Sequence, residues 1–268
     1  MKYGKAGWDA FVHKNPIPVP GVLAASTYVE SSRQLQVTVS TSPLYLVVSF
    51  SYTDIRLWYF TGTGISEITM PNLTNSGARE VRAGRLSVEL LNSTQSDHVG
   101  GYVRAIHVTD PLPIEFDSST AISAASSTAV LNLISQDGRV KQYTGQQAAS
   151  RPLRFSCKPN NMQKFIEHGL YGNHASGQEN VEWNLAQLNS GMGTYLFQIN
   201  APSQNQTYQI HVVSQDFLRF NEGTMMSNTH KSPPGKSDGF ELAATEQAGY
   251  GYMMDRTDYL PKHMRSEL

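Results

Sequence analysis

AREVRAGRLSVELLNSTQSDHVGGYVRAIHV, residues 78–108, holds two strand-like runs joined by a polar turn. Leu86, Val88 and Leu90 alternate with Ser87 and Glu89, which puts three apolar side chains on one face of a pleated strand. Asn92 to Asp97 supplies turn formers, and Gly100-Gly101 opens a second run, Tyr102 to Val108, rich in β-branched and aromatic residues. Arg79, Arg82, Arg85 and Arg104 give this unit a positive edge. The stretch contains no catalytic motif, and the rest of the chain repeats its pattern.

The 268 residues suffice for one large β domain with extensions and a substantial core. Charged residues make up 16% and the formal net charge is -1, so the chain as a whole is neither a polyelectrolyte nor an acidic disordered segment. Ser, Thr, Asn, Gln and Gly outweigh Leu, Glu and Lys runs, a balance that suits strands and turns, and the expected class is all-β. Cys157 is the single cysteine, which excludes an intramolecular disulfide and points to folding in a reducing compartment. Met1 to Gly21 lacks the apolar run of a signal peptide, and no stretch approaches about 18 uninterrupted apolar residues. A soluble, unexported protein without a membrane partner is expected.

Residues 1–33 read as an extended arm, because Pro16, Pro18 and Pro20 block both helix and central strand, and Trp8 and Phe11 are its docking residues. Lys2, Lys5, Lys14 and Arg33 against Asp9 and Glu30 leave the arm at net +2. Residues 34–220 carry about eight strand-like runs, near 34–40, 44–52, 55–60, 85–91, 101–108, 152–157, 195–199 and 207–213. The run 44–52 is apolar on both faces, as in a strand covered on both sides. Ser123 to Ser135 has the apolar stripe of a helix, and Gln142 to Thr144 reads as a strand fragment. Leu170 to Gly193 is a polar excursion anchored by Trp183. Residues 221–268 form a tail whose Tyr250, Tyr252, Met253 and Tyr259 are expected to lie on a neighbouring subunit.

Motifs for chemistry are sparse. Gly62-Thr63-Gly64 lacks the third glycine of a dinucleotide fingerprint and reads as a turn. Cys157 with His168 or His174 would make a nucleophile–base pair, but a lone cysteine at a strand end is more often a small core residue, and no catalytic residue is assigned. Asp110, Glu115 and Asp117 on a proline-broken link are the candidate ligands of a structural Ca2+ ion, and otherwise no cofactor is expected.

R-A-G-R-L-S-V-E-L-L-N-S-T followed by G-G-Y-V-R-A-I, then R-P-L-R-F-S-C, then T-Y-Q-I-H-V-V-S-Q-D-F-L-R-F with a downstream H-K-S-P-P, resembles the coat proteins of small icosahedral viruses. The opening K-Y-G-K-A-G-W-D-A-F is similar to the start of such proteins. The resemblance is to the nodavirus- and tombusvirus-like coat proteins also found in the single-stranded DNA viruses of diatoms, the bacilladnaviruses. It implies an eight-stranded antiparallel jelly roll of two facing sheets, assembly of many copies into a shell within the virion, and a single-stranded viral genome as partner. The chain departs from many relatives in lacking an Arg/Lys-rich arm, so Lys2, Lys5, Lys14, Arg79, Arg82, Arg85 and Arg104 are the candidates for contact with nucleic acid or a neighbouring subunit. The alternative is a carbohydrate-binding β-sandwich presenting Trp58, Tyr59 or Trp183.

Overall fold

Alternation of apolar and polar residues builds strands through most of the chain. A computed structural model describes residues 8–13, 26–61, 64–74, 76–95, 97–109, 116–118, 121–122, 124–161, 165–172, 191–201 and 205–220. Its elements begin with β1 (Thr27–Val39), β2 (Leu44–Val48), β3 (Ile55–Thr61), β4 (Gly64–Thr69), β5 (Glu80–Asn92) and β6 (Tyr102–Val108). They continue with β7 (Phe116–Ser118), β8 (Ala121–Ile122), α1 (Ala124–Gln136), β9 (Lys141–Thr144), α2 (Gly145–Ser150) and β10 (Leu153–Ser156). The last are β11 (Gly169–Leu170), β12 (Thr194–Asn200) and β13 (Gln206–Arg219). No helix among the described residues is long and apolar enough to cross a membrane.

The strands form two sheets. One runs β1-β13-β5-β10, with β11 pairing a second stretch of β5; the other runs β7-β8-β4-β3-β2-β12-β6-β9. Setting aside the added strands β3, β4, β7, β8 and β11 leaves eight, ordered by chain position 1-8-3-6 in the first sheet and 2-7-4-5 in the second. That double Greek-key order, with every pairing antiparallel, is the jelly roll. The core lies between the sheets. Leu44, Leu46 and Val48 of β2 meet Val81, Leu86, Val88 and Leu90 of β5 and Tyr208, Ile210 and Val212 of β13 in one cluster. A second apolar layer lies on the outer face of the longer sheet, where Tyr45, Val47, Trp58, Ile106 and Leu196 pack with Val130 and Ile134 of α1. This is why β2 is buried at all five positions, as its two-faced apolar sequence predicts.

Three sequence expectations need correction. The first strand starts at Thr27 rather than Gln34, because Tyr28 to Arg33, assigned to the arm, pair in register with Phe217 to Val212. The run 55–60 is not one of the eight framework strands but an added hairpin strand, and its place is taken by the fragment at 142–144, which is β9. Arg82 and Arg85 were expected on a positive edge together with Arg79 and Arg104. In β5, however, Gly84 is an unpaired bulge residue, since Arg85 faces Gln215 and Ala83 faces Asp216. The bulge turns both Arg82 and Arg85 to the outer face of the first sheet, while Arg104 lies on the other sheet. A Cβ on Gly84 would stand 2.6 Å from the Gln215 carbonyl oxygen, so only glycine lets the strands approach this closely.

One polar group crosses the core. Arg56 of β3 and Asp216 of β13 are both fully buried and meet at 3.0 Å between Nη2 and Oδ1. Arg56 Nε donates to Ser214 Oγ at 3.2 Å, and its Nη1 donates to the carbonyl oxygens of Ser51, Thr53 and Ile55 at 2.9, 2.5 and 2.8 Å. Ser214 Oγ completes the cluster by donating to Asp216 Oδ2 at 2.5 Å. Removing one partner strands a buried charge, which typically costs about 3–5 kcal/mol, whereas an exposed pair is worth about 1 kcal/mol or less. Urea unfolding should therefore show Arg56→Ala losing about 3–5 kcal/mol and Arg154→Ala, whose pair with Glu89 is surface-exposed, losing less than about 1. Equal losses would show that the buried pair holds nothing that the surface pair does not.

Candidate functional site

Among the described residues, the strand orders leave β9 as the free edge of one sheet and β10 as the free edge of the other. Between them opens a cleft of about 550 Å³. Its floor is aromatic: the Phe155 ring lies 5.7 Å from Tyr143 and 5.5 Å from Tyr195, and His107 lies 4.8 Å from Tyr195. Its walls are cationic, carrying Arg139, Lys141, Arg154 and Lys158. Asp9, from the N-terminal segment, is the acidic lining residue.

Two of the four cations are paired. Arg154 Nε meets Glu89 Oε2 at 2.5 Å, and Arg139 Nη2 meets Asp137 Oδ2 at 2.5 Å. The Arg139 hydrogen bonds hold the Asp137 carboxyl down at about 2. Lys141 and Lys158 have no carboxylate within ion-pair distance among the described residues. Burial, followed by the charges of Lys158 and Arg139, pushes His107 down from 6.5 to about 4, so its imidazole is neutral near pH 7. Burial also pushes the Tyr195 hydroxyl up to about 12. Gly193 lies directly behind His107, where a Cβ would stand 2.4 Å from Nε2, so the ring's position depends on that glycine.

The outer face of the first sheet is occupied by the N-terminal segment. Trp8 stacks edge-to-face on Phe165 at 5.6 Å, and Phe11 meets His211 at 5.0 Å, so both aromatic residues read as docking residues do dock, on their own chain. The Ala10 amide donates to Ser87 Oγ at 3.0 Å, and Gln215 Nε2 donates to the His13 carbonyl at 2.6 Å. Beneath this cover Arg85 donates to Gln215 Oε1 at 2.9 Å, and Arg82 lies 4.2 Å above the Phe217 ring. Arg82 is 2% and Arg85 7% exposed. Neither offers its charge to solvent. Arg104 donates to Gln142 Oε1 at 3.0 Å on the opposite side of the sandwich, and Arg79 is exposed ahead of β5. The expected arginine cluster is thus dispersed over three surroundings.

Lys2, Lys5, Lys14, Asp110, Glu115, Trp183, His174, Tyr250, Tyr252, Met253 and Tyr259 lie outside the described residues, and Asp117 belongs to β7. Cys157 is 1% exposed and burial pushes its thiol up to about 12, so it packs in the core and supplies no thiolate. Trp58 is 3% exposed beneath α1, and Tyr59 packs against the main core. Neither is the open sugar platform that the carbohydrate reading requires.

The cleft cations were missed because no two are adjacent. The available signal was a different one: residues 138–166 contain Arg139, Lys141, Arg151, Arg154, Lys158 and Lys164 and not one Asp or Glu, in a chain of net charge -1.

The chain is thus a jelly-roll β-sandwich with an added hairpin, a helix-covered outer layer and a basic edge cleft. No family model matches it, and no curated protein matches it. Among solved structures it is similar to that of maize chlorotic mottle virus (TM-score 0.44, 14% identity, 72% of this chain and 94% of the other). It is also similar to mud crab tombus-like virus (0.37, 11%, 81% and 95%) and to the BFDV capsid protein in its decameric crystal structure (0.37, 12%, 72% and 99%). The two strand orders, rather than these likenesses, define the fold.

His107 and His168, the latter pushed down to about 3 by burial with Arg219 and Arg82 nearby, make stability pH-dependent. Their folded pKa values lie below the unfolded value near 6.5, so the unfolded chain binds more protons as pH falls, and stability drops from about pH 6.5 towards 4. The urea midpoint should fall across this window, and His107→Gln with His168→Gln should flatten the fall. Parallel curves for the two proteins would contradict the assignment.

Proposed function

We propose that the chain is the coat protein of a small icosahedral virus, assembling in many copies into a closed shell around a single-stranded genome. The observation that carries this reading is the pair of strand orders 1-8-3-6 and 2-7-4-5. Four of the stretches that resemble coat proteins lie on the framework strands β5, β6, β10 and β13 of that order. Jelly rolls also serve as lectins and cupins, and fold alone does not choose among these. Two features favour the coat. Large side chains such as Phe50, Phe197 and Tyr208, all within 1% of full burial, pack into the core between the sheets, the place where a sandwich would hold an internal ligand. The described tryptophans, Trp8 and Trp58, are likewise buried rather than displayed.

In this reading the sandwich forms the shell wall, and residues 8–13 are held against its own sheet at Trp8 and Phe11. The protein is then a virion component whose partners are further copies of itself and the packaged nucleic acid.

Size-exclusion chromatography followed by negative-stain electron microscopy of the purified chain tests this. Uniform closed particles of megadalton mass are expected. A monodisperse monomer that binds glycans on an array would overturn the reading in favour of the carbohydrate-binding module.

A further inference from the structure

The cleft between β9 and β10 has a feature that packing alone does not explain. Within a chain of formal charge -1, the acid-free run 138–166 is folded so that four of its cations, drawn from the turn before β9, from β9, from β10 and from the residues after it, surround one opening. Gathering like charges is unfavourable unless something offsets them. Glu89 and Asp137 offset Arg154 and Arg139, and Asp9 lies on the Arg154 side. Lys141 and Lys158 remain without a carboxylate among the described residues. His107, whose Nε2 faces the Lys158 backbone amide at 3.5 Å, is kept neutral rather than adding a further positive charge.

We propose that this cleft binds the backbone of single-stranded nucleic acid, with Lys141 and Lys158 contacting phosphate oxygens and the rings of Tyr143 and Tyr195 supplying a stacking surface for bases. A positively charged groove floored by aromatic rings is the arrangement by which proteins hold single strands without reading their sequence, because every base presents a π-face. Cations approaching from opposite walls suit a tetrahedral phosphodiester, which accepts hydrogen bonds from several directions, better than a planar carboxylate. The cleft volume of about 550 Å³ lies within the range of small-ligand sites, roughly 300–1,000 Å³. Free strand edges on both sides would also admit an added peptide strand, but such a strand would leave the lysine charges unanswered. The biological source of the nucleic acid rests on the coat-protein reading; the chemistry of the cleft does not.

Fluorescence anisotropy with a short fluorescein-labelled oligo-deoxythymidine, titrated at several salt concentrations, reads the site directly. Lys141→Ala with Lys158→Ala should weaken binding about tenfold at low salt and lower the slope of log K against log salt by about 1.4, roughly 0.7 for each single-strand phosphate that a lysine no longer neutralises. Lys141→Arg with Lys158→Arg should retain both. Unchanged affinity and slope in the alanine pair would overturn the proposal, as would displacement of the oligonucleotide by poly-glutamate at equal charge, which would mark the cleft as a site for acidic polypeptide. Because a variant can lose binding by misfolding, ultraviolet crosslinking of the unaltered protein to a 5-bromodeoxyuridine oligonucleotide gives a second readout. Crosslinks at Tyr143 or Tyr195 are expected, and crosslinks confined to other peptides would contradict the site. Electron microscopy of the same preparations separates the two readings. Shells whose oligonucleotide binding ignores the lysine substitutions refute the cleft alone, whereas lysine-dependent binding by a protein that forms no shells refutes the coat alone.

Discussion

A guanidinium buried between two sheets constrains this molecule more than any apolar contact. Arg56 belongs to the added hairpin of the longer sheet, yet its partners Ser214 and Asp216 belong to the facing sheet, and its remaining donors are spent on carbonyl oxygens of the turn between β2 and β3. Hydrophobic burial is tolerant of small displacements, because one methyl contact replaces another. A buried ion pair is not, since a displaced partner leaves an unpaired charge in a low-dielectric interior. Arg56 therefore fixes the turn 49–54, the hairpin β3–β4 and the last strand relative to one another. Asp54, in the same turn and also fully buried, accepts at Oδ2 from Thr74 Oγ1 at 2.7 Å.

The same strand shapes the surfaces. The bulge at Gly84 falls between the pairs Arg85–Gln215 and Ala83–Asp216, so the irregularity beside the buried acid is also the one that turns Arg82 and Arg85 outward beneath the N-terminal segment. The outer faces are then largely closed, one by residues 8–13 and the other by α1. Among the described residues, β9 and β10 end their sheets without a further strand, and there the cations collect. Edge strands are commonly protected by charge, and Lys141 and Arg154 place charge on these two edges.

Much of the framework was legible in the sequence where one face of a strand is buried, as in β5 and β6, or where both are, as in β2. The stripe of α1 was legible for the same reason. Strand β9 was weak because Lys141, Gln142 and Thr144 are exposed and only Tyr143 packs, so periodicity has almost nothing to report. Arg56 reads locally as one charged residue among Ile55, Leu57 and Trp58, and its partner lies 160 positions away, beyond any local pattern. Arg82 and Arg85, three apart, belong to opposite faces of a regular strand, and only the bulge unites them. The cleft was hidden because its cations share no motif, although the missing acids across residues 138–166 were visible throughout.

Hydrogen–deuterium exchange of the unaltered protein, followed by mass spectrometry, tests the proposed lock most directly. If Arg56 binds the turn to the facing sheet, peptides covering residues 49–56 should exchange as slowly as those of β13 and open with them only in global unfolding, although the turn itself has few ladder hydrogen bonds. Fast exchange across 49–56 while β13 stays protected would contradict it, and would mean that the sheets are held by apolar packing alone.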